Sequence, residues 1–551
     1  MTAAELIRPR NARLLLVLAV VAAGALLIAW GSHITFLIDD WNLLLNRRGF
    51  DDHVLLDPHA RHLILGPVLI YKAIQATIGM EGRTPYDVVA VVAFLASVVL
   101  LFIYLRRRVG DWVALAAVLP VLVMGSAYED LLSAFQVGYF GSMAFGIAAL
   151  LALERRDERG DAIACAALVA SLAFSEIALA FAAGVAVAIA LERGPLRRAW
   201  VPAVPLLLYA VWYPTFGQSG AYLGPSGFSL HNVATSPPYV LDGFASSVGS
   251  LLGLGTPILF GGTGGVEWGR PLLVALLAAA VAWVLRSRSS RLIWVLVPLA
   301  IGLSFWFLTA ANFTFGRAPY ASRYQYVGAV FVLMIAAELA AGWRPGWRGV
   351  LAALAVGAAA ALGNLATLHQ GYRALAGNSE VVRGGLTGLE VAADRVDPGF
   401  VLTPQNSDFN YFTLVKAGPY LSASEKFGSP AYSETELAEA SDSARVAADK
   451  VLAAALPVSL QPEAALPKGS CRSVGGGGRG AAVVELPPGG VTLEPLGSTS
   501  ASLRLRRYAT SSFPVDLGPL RGAARLVVPT DRSSRPWQLR VDSSRPVSVC
   551  R

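Results

Sequence analysis

The sequence predicts a polytopic α-helical membrane protein, with about eleven transmembrane helices and a C-terminal extracytoplasmic mixed α/β domain ending in a small β-sandwich. Three observations predict it. Apolar runs with few charges recur until about residue 370, in a 551-residue chain that is 55% hydrophobic with a mean hydropathy of +0.54. Short basic clusters separate those runs, as loops on one side of a membrane do. Beyond residue 370 the texture turns to Pro, Ser, Gly and short alternating segments.

Arg8-Pro9-Arg10-Asn11-Ala12-Arg13 precedes an apolar stretch through Trp30. No small-residue cleavage site stands out before Trp30, so this stretch is read as a retained first span. Basic loops at 8–13, 106–108, 154–159, 193–198, 286–291 and 343–348 are assigned to the cytoplasmic side, so an even number of crossings separates successive clusters. The crossings then fall near 14–32, 85–105, 111–127, 133–153, 162–175, 177–191, 199–214, 271–285, 292–311, 324–341 and 350–368. The N-terminus is expected inside and the C-terminus outside a plasma (inner) membrane. The net charge of +8 lies largely in the basic loops and requires no nucleic acid as partner.

Parity makes 63–78 a juxtamembrane helix with Lys72 and Gln75 near water, and 240–260 a helix or re-entrant segment in an outer loop 215–270. It splits 162–191 into two short helices meeting at Ser175-Glu176. Each is shorter than the ~20 residues a free span needs, so neighbouring helices must shelter them.

Residues 398–440, with Pro398, Pro404, Pro419 and Pro430, read as loop, and 434–456 as one amphipathic helix. After Pro457, short alternating runs at 481–486, 503–508, 525–528 and 538–541 suggest the β-sandwich. The glycine run 475–478 is a flexible turn, since it lacks the Lys-Ser/Thr and helix of a phosphate-cradling loop. The expected division is a transmembrane domain at 1–370 with juxtamembrane helices at 41–80, an extracytoplasmic loop and helical linker region at 371–456, and an extracytoplasmic β-rich domain at 457–551. Cys165 lies in an apolar helix and reads as packing. Cys471 and Cys550 suit a disulfide in an extracytoplasmic compartment, the alternative being two unrelated buried thiols.

The densest chemistry follows the first span. Phe36-Leu37-Ile38-Asp39-Asp40-Trp41 puts two carboxylates at a membrane surface. An acid at mid-bilayer costs roughly 2.5–3.5 kcal/mol, so acids that close to lipid are functional suspects. The bland alternative is that Asp39 caps a surface helix beginning at Trp41, which explains one acid and leaves the other. Arg47, Arg48, Asp51, Asp52, His53, Asp57, His59, Arg61 and His62 follow. Carboxylates beside cations suit deprotonation of a hydroxyl or capture of a phosphate. His53, His59 and His62 with the Asp pair also suit zinc or manganese, although their spacings match no strong ligand motif. A divalent metal is the one cofactor left open.

Further along, Tyr128-Glu129-Asp130 offers a second acidic pair, to position an acceptor or support the first, against the plainer reading of solvated loop acids. Glu176 lies in so apolar a setting that it should face a polar cavity. The loop Asn312 to Tyr326 sets Arg317 and Arg323 among Tyr320, Tyr324 and Tyr326. Such a loop holds a phosphate and stacks on a sugar, or forms an aromatic belt with snorkelling arginines.

Asp39-Asp40-Trp41, the juxtamembrane stretch 59–78, the Ala321-Ser322-Arg323-Tyr324 loop, the many spans and the outer C-terminal domain together resemble the GT-C superfamily of integral membrane glycosyltransferases. The likeness is to its bacterial protein O-mannosyltransferase and aminoarabinose transferase-like group, and it covers 1–370 as architecture. The resemblance implies a sugar donor on polyprenyl phosphate and transfer, with inversion, to a cell-envelope glycan, lipid or protein acceptor on the outer face. It implies Asp39 or Asp40 as general base, with a lean to Asp39. Arg317 and Arg323, with Arg61 or Lys72, would hold the donor phosphate. Glu129, Asp130, Glu176, His59, His62 and Tyr324 would engage the acceptor or support the base. The pair is Asp-Asp where several relatives have Asp-Glu, and the Trp-Trp-Asp motif of oligosaccharyltransferases is absent. A transporter or flippase of lipid-linked saccharides is the alternative, but no internal repeat supports it. A non-catalytic scaffold with an outer binding domain leaves the acid pair unexplained.

Overall fold

The computed structural model describes residues 9–192, 195–218, 228–255, 265–286, 290–314, 316–403, 415–463, 470–475, 481–497 and 500–551. Pro404, residues 476–478 of the glycine run and parts of the basic loops at 193–198 and 286–291 lie outside the described residues.

In chain order the helices are α1 Pro9–Gly31, α2 Ile38–Trp41, α3 Asp52–Leu56, α4 Leu65–Thr77, α5 Thr84–Val109, α6 Asp111–Leu122, α7 Tyr128–Leu131, α8 Val137–Leu153, α9 Glu158–Phe174 and α10 Ile177–Ala190. They continue as α11 Trp200–Thr215, α12 Leu230–Ala234, α13 Ser236–Leu251, α14 Val266–Arg286, α15 Leu296–Ala311, α16 Ser322–Leu339, α17 Trp347–Val391, α18 Ala417–Phe427, α19 Glu434–Glu439 and α20 Asp442–Ala455. Among the described residues nine strands follow: β1 Ser459–Pro462, β2 Cys471–Val474, β3 Ala482–Glu485, β4 Val491–Pro495, β5 Ala501–Arg506, β6 Val515–Leu520, β7 Ala524–Val527, β8 Gln538–Asp542 and β9 Val547–Cys550.

The protein is a multi-pass helical membrane protein with a β-rich C-terminal region. Each of the eleven expected crossings carries a helix. By length and apolar composition, however, six helices among the described residues qualify as spans, or seven if the pair Asp111–Leu122 and Gly125–Leu131, bent by 45°, counts as one. The stretches at α9, α10, α11 and α16 fall short of that measure. The first three have 17, 14 and 16 residues, below the ~20 that bridge a bilayer unaided.

Two compact units divide the chain. The first holds Met1–Ser32, Arg47–Ile74 and Thr84–Ala374; the second holds His33–Asn46, Gln75–Arg83 and Leu375–Arg551. In the first unit α5 begins with Asp87 in its first turn and ends in Arg106–Arg108, matching the helix dipole at both ends. The α9–α10 break falls where the sequence placed it. Ser175 is extended (φ −167°), which stops α9, and Ser142 hydrogen-bonds Ser171 at 2.8 Å, tying α9 to α8. Small residues let backbones meet: a Cβ on Gly269 would stand 1.8 Å from the Ala245 carbonyl oxygen, so α13 and α14 touch at van der Waals distance.

In the second unit α17 departs from expectation by running past residue 370 to Val391. Gly384 and Gly388, one turn apart, leave room for the Ala444 and Ala448 carbonyls of α20, so that part of α17 packs on α20. The loop expected at 398–440 contains α18. Pro419 sits in its first turn, where no hydrogen bond is lost, and Gly428 at φ 86° ends it. The single helix expected at 434–456 is two. Ser433 caps α19 in a capping box with Glu436, and Ser441 caps α20, each starting its own N-terminus.

The strands form two antiparallel sheets, ordered β1-β7-β4-β9-β2 and β3-β8-β5-β6. Alternate residues such as Leu493, Leu503, Leu505, Leu526, Leu539 and Val541 are fully buried, the period-2 signature of half-buried strands. Cys471 faces Cys550 across β2 and β9, and the two form a disulfide with an S–S distance of 2.09 Å. Cys165 is a buried free thiol.

Candidate functional site

The acid pair belongs to the second unit. Leu37 is extended before α2 and has no capping side chain of its own, so the first turn needs an acceptor from elsewhere. Asp40 supplies it: its Oδ2 accepts the Leu37 N–H at 2.7 Å. The cap is therefore Asp40 reaching back, not Asp39 ahead of a helix at Trp41. Asp40 is fully buried and Asp39 half-buried. Trp41 packs edge-on against Phe36 and Tyr420, at 5.5 and 5.9 Å between ring centroids.

The segment is pinned along its length. Thr35 donates its N–H to Ser379 Oγ at 3.1 Å and accepts from the Arg83 guanidinium at 3.2 Å. Downstream, Asn42–Asn46 form a π turn, a wide turn frequent at functional sites, and Gln75 Nε2 donates to the Leu44 carbonyl at 3.1 Å. None of these anchors was readable from the sequence, because each partner lies tens to hundreds of residues away.

The other expected residues belong to the first unit. Arg61 sits at φ 73°, a left-handed backbone that costs a non-glycine residue of order 1–3 kcal/mol. Its buried Nε meets no hydrogen-bond partner among the described residues. Lys72 donates to the carbonyls of Arg47 (2.7 Å) and Gly49 (2.5 Å) and lies over the Phe50 ring. Two of its three ammonium protons thus hold the loop closed, and burial lowers its pKa. Arg47 donates to the Val54 and Asp57 carbonyls, both at 2.8 Å.

The three histidines do not converge. His53 Nδ1 meets Asp57 at 3.1 Å, which raises its pKa. His62 Nδ1 meets Glu176 Oε2 at 2.9 Å, and His59 packs its ring on Phe135 at 5.0 Å. No group of three or more His, Cys, Asp or Glu among the described residues is arranged to hold a metal, and His53, His59 and His62 each face a different partner. What pairs instead is Glu176. It accepts from His62 and from the Tyr209 hydroxyl at 3.3 Å, a three-residue polar knot in an apolar setting.

A second grouping joins the acids of α7 to the basic loop before α16. The Tyr128 hydroxyl donates to Glu129 Oε1, and the Glu129 N–H donates to Ser322 Oγ, both at 3.2 Å. Asp130 is fully buried, and neither carboxylate oxygen has a hydrogen-bond partner among the described residues. Arg323 lies within electrostatic reach of both acids. It donates to the Gly316 carbonyl at 3.1 Å and lies 6.0 Å from the Tyr324 ring. Arg317 donates to the Asn312 carbonyl at 3.4 Å, and its own carbonyl accepts the Tyr239 hydroxyl at 2.6 Å. Tyr139 and Tyr239 both feel Arg317 and Arg323. Sequence reading missed these two tyrosines, since neither lies in the acidic or basic runs. Buried acid, guanidinium and phenol in one place can bind an anion and direct hydroxyl groups beside it.

No protein-family model and no curated protein matches this chain. Among solved structures it is similar to the crystal structure of ArnT from Cupriavidus metallidurans bound to undecaprenyl phosphate, with 13% identity and a TM-score of 0.44, over 70% of this chain and 81% of that one.

Proposed function

We propose that the protein is a membrane glycosyltransferase that moves a sugar from a polyprenyl-phosphate donor to a cell-envelope acceptor on the outer face, with inversion. The observation that carries this reading is the acid pair at the end of the first apolar helix, one carboxylate buried and fixed by the Leu37 N–H, the other half-buried beside it. In a single displacement the acceptor hydroxyl loses its proton to a carboxylate as its oxygen bonds to the sugar carbon. The carbon–oxygen bond to the phosphate breaks, and the lipid phosphate leaves with the electron pair. That chemistry needs one base and cations for the leaving group, and no nucleophile on the protein.

Asp39 is the base in this reading. Asp40 has committed one oxygen to the backbone and orients the turn. Arg317 and Arg323 hold the donor phosphate, while Glu129 and Asp130 engage hydroxyl groups of sugar or acceptor.

The test is transfer from radiolabelled polyprenyl-phosphate sugars by purified protein in proteoliposomes. Asp39→Asn should lower the rate about 10²–10⁴-fold, the usual worth of a general base. Wild-type transfer by both Asp39→Asn and Asp40→Asn would defeat the reading. The expected sidedness is tested by cysteine labelling at position 65; access from the cytoplasmic side alone would overturn it.

A further inference from the structure

At the end of the first unit's bundle that bears the basic loops lies a cavity of about 300 Å³ that the transfer chemistry does not use. Arg323 and Glu338 mark opposite ends of α16, fifteen residues and so about 22 Å apart, which sets this cavity at the far end from Glu129, Asp130 and Arg323. Its walls carry Glu154, Glu192 and Glu338 with Arg108, Arg156 and Trp294 over an aliphatic floor. A volume at the low end of ligand pockets suits a headgroup, not a glycolipid.

The walls hold both signs of charge in near balance. Arg108 bonds Glu338, Glu154 and the Tyr104 carbonyl and stacks on the Tyr104 ring at 3.5 Å, which engages all three of its guanidinium nitrogens. Arg107 and Arg198 pair with Glu154 and Glu192. Two groups retain capacity. Arg156 gives its Nε to Glu192 at 3.1 Å, and its two terminal amino groups bond no described residue. Its backbone is held at φ 56°, a left-handed conformation that costs energy for a side chain of this kind, and its guanidinium lies 5.8 Å from the Trp294 ring. Glu338 is only 8% exposed; its Oε1 accepts from Tyr104 and Arg108, and its Oε2 bonds no described residue.

A wall near charge balance, with one spare guanidinium face and one spare carboxylate oxygen, favours neither a bare anion nor a bare cation. It fits a ligand with a phosphate for Arg156 and an ammonium, rich in N–H donors, for Glu338. We propose that this cavity binds a phosphoethanolamine group, with Trp294 at its rim. A bilayer aminophospholipid and a soluble glycerophosphoethanolamine carry the same group.

The experiment measures lipid retention, not transfer, so it stands or falls separately from the proposed reaction. Purified protein is exchanged into nanodiscs of equal parts dioleoyl phosphatidylethanolamine, phosphatidylcholine and phosphatidylglycerol, and co-isolated lipid is counted by native mass spectrometry. Phosphatidylethanolamine should be retained about tenfold over the other two, which lack N–H donors or lack the cation. Arg156→Ala, at an exposed side chain, and Glu338→Gln should each cut that preference about tenfold. Displacement by glycerophosphoethanolamine would identify the soluble source, and resistance to it the lipid. Equal retention of the three lipids, or an unchanged preference in Arg156→Ala, overturns the proposal.

Discussion

Asp130 in the helical unit and Asp449 in the β-bearing unit are both fully buried, and the two regions treat them in opposite ways. Asp449 on α20 accepts three backbone N–H groups, from Arg507 (3.0 Å), Tyr508 (2.9 Å) and Ala509 (3.0 Å). Asp130 on α7 accepts none from any described residue. Native interiors satisfy nearly all their polar groups, so a fully bonded acid reads as structure and a buried, unbonded one as capacity held for a ligand. The β-bearing unit bonds Asp449 to its own backbone, whereas in the helical unit the Asp130 carboxylate bonds no described residue.

Four measurements would break or sharpen that contrast. Asp449→Ala strands three buried N–H groups and should lower the unfolding free energy by about 3–5 kcal/mol, read by denaturant titration. A loss under about 1 kcal/mol would make Asp449 as dispensable as the contrast says it is not. Next, reduction of the Cys471–Cys550 bridge frees a chain segment whose ends are 79 residues apart and should cost the same unit about 4 kcal/mol, seen as a lower melting temperature.

The third is a pH profile. Burial pushes the Asp449 carboxyl up to about 6, against the pull of its three N–H donors. Between about pH 4 and 6 the folded state keeps a proton that the unfolded chain has lost, so stability falls as pH rises through that window and levels above it. The fall attributable to this group is about 3 kcal/mol at most. Asp449→Asn should flatten that part of the profile; a profile identical to wild type would reassign it. The smallest stability change is expected at Asp130→Asn, under about 1 kcal/mol, because no native hydrogen bond is lost. Sugar transfer is the readout that should fall there. A large stability loss with unchanged transfer would make Asp130 structural as well.

Much of this architecture was legible in the residues. Apolar runs and basic loops located a helix at every expected crossing, and charge parity located the break at Ser175-Glu176, where a purely apolar reading would have drawn one long helix. Period-2 alternation located the strands β3, β5, β7 and β8. The misses have physical causes. α17 passes residue 370 because composition there turns polar while Gly384 and Gly388 still give α20 a face to pack on. The break before α20 was signalled by Ser441-Asp442, a cap hidden inside an amphipathic pattern. Of the candidate site, sequence supplied residues but not pairings. His62 meets Glu176 across 114 positions, and Lys72 spends its charge on loop carbonyls. Side-chain partners at such separations are set by tertiary packing, which no local pattern encodes.

The shortness of α10 has a consequence for how the chain is made. Fourteen residues extend about 21 Å, against roughly 30 Å of hydrocarbon, so the segment cannot be stably inserted as an isolated unit. In the folded unit it is sheltered by its neighbours, packing most against α15 and also against α8, α9 and α11, with the Ser142–Ser171 bond holding α8 to α9. Completion of the fold at α10 is therefore expected to depend on helices on both sides of it in the chain. A substitution at that serine pair would be felt at the translocon as misinserted, rapidly degraded chains, and low abundance, not low turnover, would be its phenotype.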